Sequence, residues 1–327
     1  DELIMASGHC INDVSALITI SEPTLSTKLL EASIKNSALS CNAKVTYNFE
    51  DTIPYQISSA SSFYHIDPSI FSQKRSGNFP MKGFFDGSFN LKGQGKQLIT
   101  SLDDAIYDFT ITGRDGSLTI FELDERSQLG LLGASILGKS LNRPGISAMS
   151  RAIPYFKDVH FDSFILKLVN PANSTINISK FSIQGNNLKI NGTGSIASSK
   201  LNGFIDKPLM LTLEFGARGR LIDHLEILDL LSPSIDTDGF RALNKSINIG
   251  GTVSNPDSKA LKQVLNQAAS RAFAQPSSSE SRLENEEHPL QYNQESREPN
   301  INNEKSKEEK ILENIETGLN ILDSIFG

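Results

Sequence analysis

The one segment with the spacing of a nucleotide site is Gly133-Ala-Ser-Ile-Leu-Gly138-Lys139-Ser140, which fits the pattern GxxxxGK[ST]. That pattern works when a buried strand leads into a glycine-rich loop and the following helix turns its amides toward phosphates. Here Asp124, Glu125, Arg126, Ser127 and Gln128 precede it, so no buried strand leads in. Ile136 and Leu137 suit the apolar face of a helix, and no apolar strand ending in Asp follows to hold magnesium. An amphipathic connecting helix is expected, with no nucleotide. The five His residues form no HxH or HExxH pair. Gly145-Ile-Ser147-Ala-Met149 lacks the closing glycine of a nucleophile elbow. Adjacent carboxylates such as Asp103 and Asp104 point apart on any element rather than flank a substrate. Cys10 and Cys41 lie in no CxxC and near no His pair, which excludes a thiolate metal site. Spacing leaves open whether they pair or stand as separate thiols. These residues predict no catalytic centre, no metal and no cofactor.

Charge and composition narrow the partners. Lys and Arg number 31 against 38 Asp and Glu, a net charge of −7. The dense run Glu304 to Lys310 is mixed in sign, so no basic cluster exists to release phosphate counterions, and nucleic acid is excluded. With 18 Phe and no Trp, the expected core is aliphatic and Phe-based. An aromatic share of 7% argues against a sugar face built on stacked rings. No stretch reaches the roughly 20 apolar residues of a membrane-spanning helix. The chain opens on Asp1 without a signal peptide, so any anchor is expected upstream.

Alternation with a period of two dominates and predicts strands with one apolar face. Phe89 and Leu91 alternate with polar neighbours, as do Tyr107, Phe109 and Ile111. Leu118 and Ile120 follow Gly113-Arg-Asp-Gly116, whose Asp-Gly signals a hairpin turn. The pattern continues through Phe164, Leu166 and Leu168, then Ile176, Ile178, Phe181, Ile183, Leu188 and Ile190, and on to Leu209, Leu211, Leu213 and Phe215. Gly185-Asn-Asn187, Gly192-Thr-Gly194 and Lys207-Pro208 supply turn or bulge chemistry between them. Alternating βαβ units are absent. The predicted fold is therefore mainly β: an extended, curled antiparallel meander, trough-like, with a few short amphipathic helices. Helices are expected at 97–104, 126–141, 220–231 and, after Asn255-Pro-Asp257, from Ser258 to about Phe273.

Composition then shifts. Residues 276–304 are rich in Ser, Glu, Asn and Pro, and predict a disordered linker. Beyond it Ile311, Leu312, Ile315, Leu319, Leu322 and Phe326 form one apolar stripe, so 305–327 reads as an amphipathic helix suited to docking on a protein partner. The expected organisation is an N-terminal β segment over 1–75 continuous with the sheet, a β module over 76–257, a closing helix over 258–275, the linker and the terminal helix.

Several segments in order resemble the AsmA family of bacterial envelope proteins. They are Gly87-Ser-Phe-Asn-Leu-Lys-Gly-Gln-Gly95 leading to Ala105-Ile-Tyr-Asp-Phe-Thr-Ile-Thr-Gly-Arg-Asp-Gly-Ser-Leu118, then Leu188-Lys-Ile-Asn-Gly-Thr-Gly-Ser-Ile196, then Ile249-Gly-Gly-Thr-Val-Ser-Asn-Pro-Asp257. They cover roughly residues 76 to 275, and the tail has no place in the family. The resemblance implies a periplasmic β-trough of a Gram-negative cell, tethered to the inner membrane by an upstream segment and serving outer-membrane biogenesis. It implies phospholipid or another acyl-chain lipid as the partner. The apolar positions Phe89, Leu91, Tyr107, Phe109, Ile111, Leu118, Ile120, Phe164, Leu166, Leu168, Ile183, Ile190, Leu211, Leu213 and Phe215 would then face lipid. The alternative for these residues is a plain core beneath helices 126–141 and 220–231. The alternative function is an interaction module that organises envelope proteins through residues 305–327.

Overall fold

The computed structural model describes residues 3–4, 10–34, 37–68, 81–98, 101, 105–120, 143–171, 175–197, 206–253, 255–257 and 259–274. The expected helix at 126–141, with the P-loop-like run inside it, most of the one at 97–104, the linker and the terminal helix lie outside them. The described chain forms two compact units, one built on the sheet and one holding helical segments.

The sheet is mainly antiparallel meander, as the alternation predicts. Its first half comprises β1 (Leu3–Ile4), β2 (Cys10–Ser21), β3 (Thr24–Ile34), β4 (Ser37–Tyr47), β5 (Tyr55–Ile66), β6 (Met81–Gly95) and β7 (Ile106–Thr119). After β8 (Asp158–Phe161), which pairs β7, come β9 (Ser163–Asn170), β10 (Ile176–Gln184), β11 (Leu188–Ile196) and β12 (Leu209–Ala217). The remaining strands are β13 (Leu231–Ile235), β14 (Arg241–Leu243), β15 (Ile247–Gly251) and β16 (Pro256–Asp257). Each consecutive strand from β1 to β7 pairs with the next, β9 follows β7, and β12 carries both β14 and β15.

Register fixes which side chains share a face. Starting from Ala16 on β2, successive partners are Leu30, Cys41, Ser61, Phe89, Phe109, Leu168, Ile178, Gly194, Leu211 and Ile249. The neighbouring row runs Ala32, Leu39, Phe63, Gly87, Ile111, Leu166, Phe181, Gly192, Leu213 and Ile247. Because side chains alternate between faces, these rows define one apolar face, called face A here, from β2 to β15.

Bulges keep that phase while bending the strands. In β5 the register shifts between Phe63 and Ile66, and His65 sits in the left-handed region at φ 59°. Its amide donates to Asp86 Oδ1 at 2.8 Å, its carbonyl accepts from the Ser37 hydroxyl at 2.9 Å, and its ring stacks on Phe84 at 4.0 Å. The Asp-Gly at 115–116 is another such place and corrects an expectation. It makes no hairpin: Asp115 takes φ 50° and β7 runs on through Gly116 to Thr119. A Cβ at Gly116 would meet the Phe161 ring and the Lys82 carbonyl, so this glycine serves close packing rather than reversal. Gly192-Thr-Gly194 likewise lies inside β11, where a Cβ on Gly194 would meet the Met210 carbonyl.

The helical unit corrects two more boundaries. Helix α1 (Pro144–Lys157) was not expected, because Pro144 reads as a terminator although proline suits a first helical turn. Ile146, Met149, Ile153 and Phe156 form its buried stripe. Helix α2 (Arg220–Ile227) packs on α1 and ends short of Leu231. Asp229 closes it at φ 53°, with the Leu230 amide donating to Leu225 O at 3.0 Å. Leu231 then opens β13, which accommodates Pro233 at the outer end of the strand order. Helix α3 (Lys259–Ala274) starts where expected, its Lys259 amide capped by Asp257 Oδ1 at 2.9 Å.

One polar cluster clamps the β11 end of the sheet. Lys189 Nζ donates to Asp236 Oδ2 and Asp238 Oδ2, each at 2.8 Å, and stands over the Phe240 ring with Arg218. The Lys189 hydrogen bonds hold the Asp236 carboxyl below its ordinary pKa, and the same two bonds raise that of Lys189. A lowered carboxylate stabilises above its unfolded pKa near 4 and loses that contribution as pH falls through the folded value. Lys189→Met should therefore lower stability at neutral pH and flatten its decline below about pH 4, measured by urea unfolding across pH. In a second test, Gly116→Ala should cost about 1–3 kcal/mol in the same assay through overpacking.

Candidate functional site

Face A carries thirteen of the expected lipid-facing residues, and their burial grades along the sheet. Phe164, Leu168, Ile183, Ile190, Leu213 and Phe215 are buried, Ile183 completely. Phe89, Leu91, Tyr107, Phe109, Ile111, Leu166 and Leu211 are half-buried. Leu118 pairs with Met81 and Val159 and is half-buried, whereas Ile120 lies one residue beyond β7. Toward β2 the same face opens: Leu30 is 37% exposed, Leu25 43%, Ile18 57% and Ile20 79%. From β9 to β15 face A is thus largely a core, from β7 to β4 it is half-buried, and on β3 and β2 it meets solvent.

A packed cluster joins the two regimes. Leu168, Ile176, Ile178, Ile196 and Leu209 are buried together, with Tyr107, Phe109, Leu166, Phe181 and Leu211 against them. Phe89 adds edge and tilted contacts to Phe109 and Tyr107 at 6.1 and 5.8 Å. Burial pushes the Tyr107 hydroxyl pKa up. Opposite it in the ladder, Asn170 donates from Nδ2 to the Ala105 carbonyl at 2.8 Å. This bond ties the start of β7 to β9 beneath the aromatic rings.

The open part of face A is what the sequence hid. Leu25, Val45 and Ile57 form one ladder row and Leu39 and Phe63 another, but Thr27, Cys41, Ala43, Ser59 and Ser61 stand between them. Small and hydroxylated residues on the inner face dilute the period-two signal. The usable sign was the in-phase recurrence of Leu25, Val45, Ile57 and Phe63 across successive segments. Cys41 is a free thiol in this floor, accepting from the Ser61 hydroxyl at 3.2 Å.

His160 Nδ1 lies 3.3 Å from the Asp158 carbonyl, and His224 on α2 has its pKa lowered by burial and by nearby Arg151. Among the described residues no group of three His, Cys, Asp or Glu is placed to hold a metal, and no helix is long and apolar enough to cross a membrane. The expected docking residues Ile311, Leu312, Ile315, Leu319, Leu322 and Phe326 lie outside the described residues.

The arrangement defines a graded apolar sheet face. No protein-family model, curated protein or solved structure matches the chain.

Truncations along face A should separate its two regimes. Ile183→Ala and Leu213→Ala should each cost about 2–5 kcal/mol, as core deletions do. Ile18→Ala and Ile20→Ala should stay within about 0.5 kcal/mol, as surface changes do. Chemical denaturation of the four variants measures both.

Proposed function

We propose that this chain is a non-catalytic cell-envelope protein of outer-membrane biogenesis that binds or conducts phospholipid acyl chains along face A in the periplasm, tethered to the inner membrane by a segment upstream. One observation carries the reading. The apolar face keeps its phase through several bulges from a closed core into solvent, where Ile18 and Ile20 are more than half exposed. Contiguous exposed apolar surface marks an interaction site. An acyl chain suits it, because such a chain needs no directional polar contact and gains about 0.8 kcal/mol for each buried methylene. The floor of Thr27, Ala43 and Ser59 leaves room above the strands that bulkier residues would fill. The sequence resemblance to AsmA proteins points the same way.

Native mass spectrometry of the purified chain should show co-purifying phospholipid. Ile18→Asp combined with Leu25→Asp should reduce that occupancy several-fold, since each places a charge where an acyl chain would lie. A wild-type chain that stays lipid-free after incubation with phospholipid would overturn the reading.

A further inference from the structure

A groove that opens on the opposite face crosses the same strands, and Thr27, Ala43, Ser59, Leu91 and Tyr107 of face A are also among its lining residues. It is a hollow of about 620 Å³ that crosses β3 to β7 and reaches Val169 on β9. Its walls are two ladder rows on the polar face. Lys44, Ser58 and Lys92 are successive partners in one, and Asn42, Ala60, Asn90 and Asp108 in the other. An Asn-x-Lys run thus occurs twice in register, as Asn42-Ala-Lys44 on β4 and Asn90-Leu-Lys92 on β6. The small Ser58 and Ala60 of β5 leave a depression between them. Strands two apart place the paired lysines, and the paired asparagines, about 10 Å from each other. Lys44 and Lys92 have no ion-pair partner among the described residues, and Asn42, Lys44, Ser58, Asn90, Lys92 and Asp108 are all solvent-exposed.

We infer that this groove is a binding site for an acidic glycan, a chain bearing carboxylates or sulfates along one side and hydroxyls along the other. The lysine wall meets the anionic groups. The Asn42 and Asn90 carboxamides donate to and accept from hydroxyls, and Asp108 accepts from them while repelling charge, so the ligand's charged side is turned to the lysines. Neutral sugars stack on aromatic rings, and the one aromatic residue lining this groove, Tyr107, turns its ring to Phe89 on face A; charge and amide contacts replace stacking here. The same lack of stacking rings disfavours single-stranded nucleic acid, which uses aromatic platforms. An extended peptide is disfavoured because the groove crosses strands whose backbone groups are already paired, whereas peptides add at a free edge.

The test is a fluorescence-polarisation titration of the full chain with labelled oligogalacturonate at low ionic strength. Saturable binding is expected, weakened by salt and absent with neutral dextran. Lys44→Gln with Lys92→Gln should weaken it about tenfold, the sum of two exposed ion pairs. Ser58→Trp should block the groove while retaining both lysines. All of these positions are on the sheet surface, so circular dichroism and urea midpoints should stay at wild type. Four results would each overturn the assignment: no saturable binding, binding indifferent to the lysine changes, equal affinity for polyglutamate, or equal affinity for oligodeoxythymidylate.

Discussion

Everything in the sheet depends on phase. A strand turns successive side chains to opposite faces, so a slip of one residue would send Phe89, Phe109, Leu168 and Ile178 to the polar side together. The ladder prevents this by keeping the apolar rows in register from β2 to β15. Bulges are compatible with phase only if the strand resumes on the same face, and the one in β10 does so. Ile178 opposes Leu168 before the shift, and Phe181 opposes Leu166 after it. Ser179 and Lys180 absorb the extra length on the exposed side.

Phase alone does not decide what a face does; burial along it does. Where large residues oppose one another, as Ile183 does Ile190 and Ile190 does Phe215, face A is sealed. Where Thr27 opposes Ala43 and Ala43 opposes Ser59, side chains cannot fill the space over the strands, and the face stays open. The reverse holds on the polar side. There the small pair Ser58 and Ala60 on β5 lies between longer Lys and Asn residues, so the central strand again sets the depth. Side-chain size on β5 thus shapes both surfaces of the same backbone.

The fold was legible because alternation is a local signal that survives without tertiary knowledge. Strands at Phe89, Tyr107, Phe164 and Leu209 stand where the period predicts. Boundaries failed where one residue type serves two conformations. Asp115-Gly116 has the chemistry of a turn and forms a bulge, because the Phe161 ring and the Lys82 carbonyl require a glycine there. Pro144 has the chemistry of a stop and begins a helix. The open half of the site was less legible, since Ser59 and Ser61 face inward and read as polar until the register sets them beside Leu91 and Phe89. The Asn-x-Lys repeat was invisible for a related reason: 48 residues of sequence separate two runs that β5 alone separates in space.

An open apolar face has a stability consequence that bears on its use. Ile18 and Ile20 near the start of the sheet gain little from folding, because they remain largely in water. Their strand pairs β3 on one side, while among the described residues β1 covers only Cys10 and Ile11 on the other. A long, exposed, apolar strand at a sheet margin is an aggregation hazard that soluble proteins blunt with charge or proline. From Val14 to Ile20 neither appears, so folding energetics give no reason to keep these residues apolar. Ile18 and Ile20 therefore mark β2 as the one margin of the described sheet where apolar residues contribute little to stability and invite association.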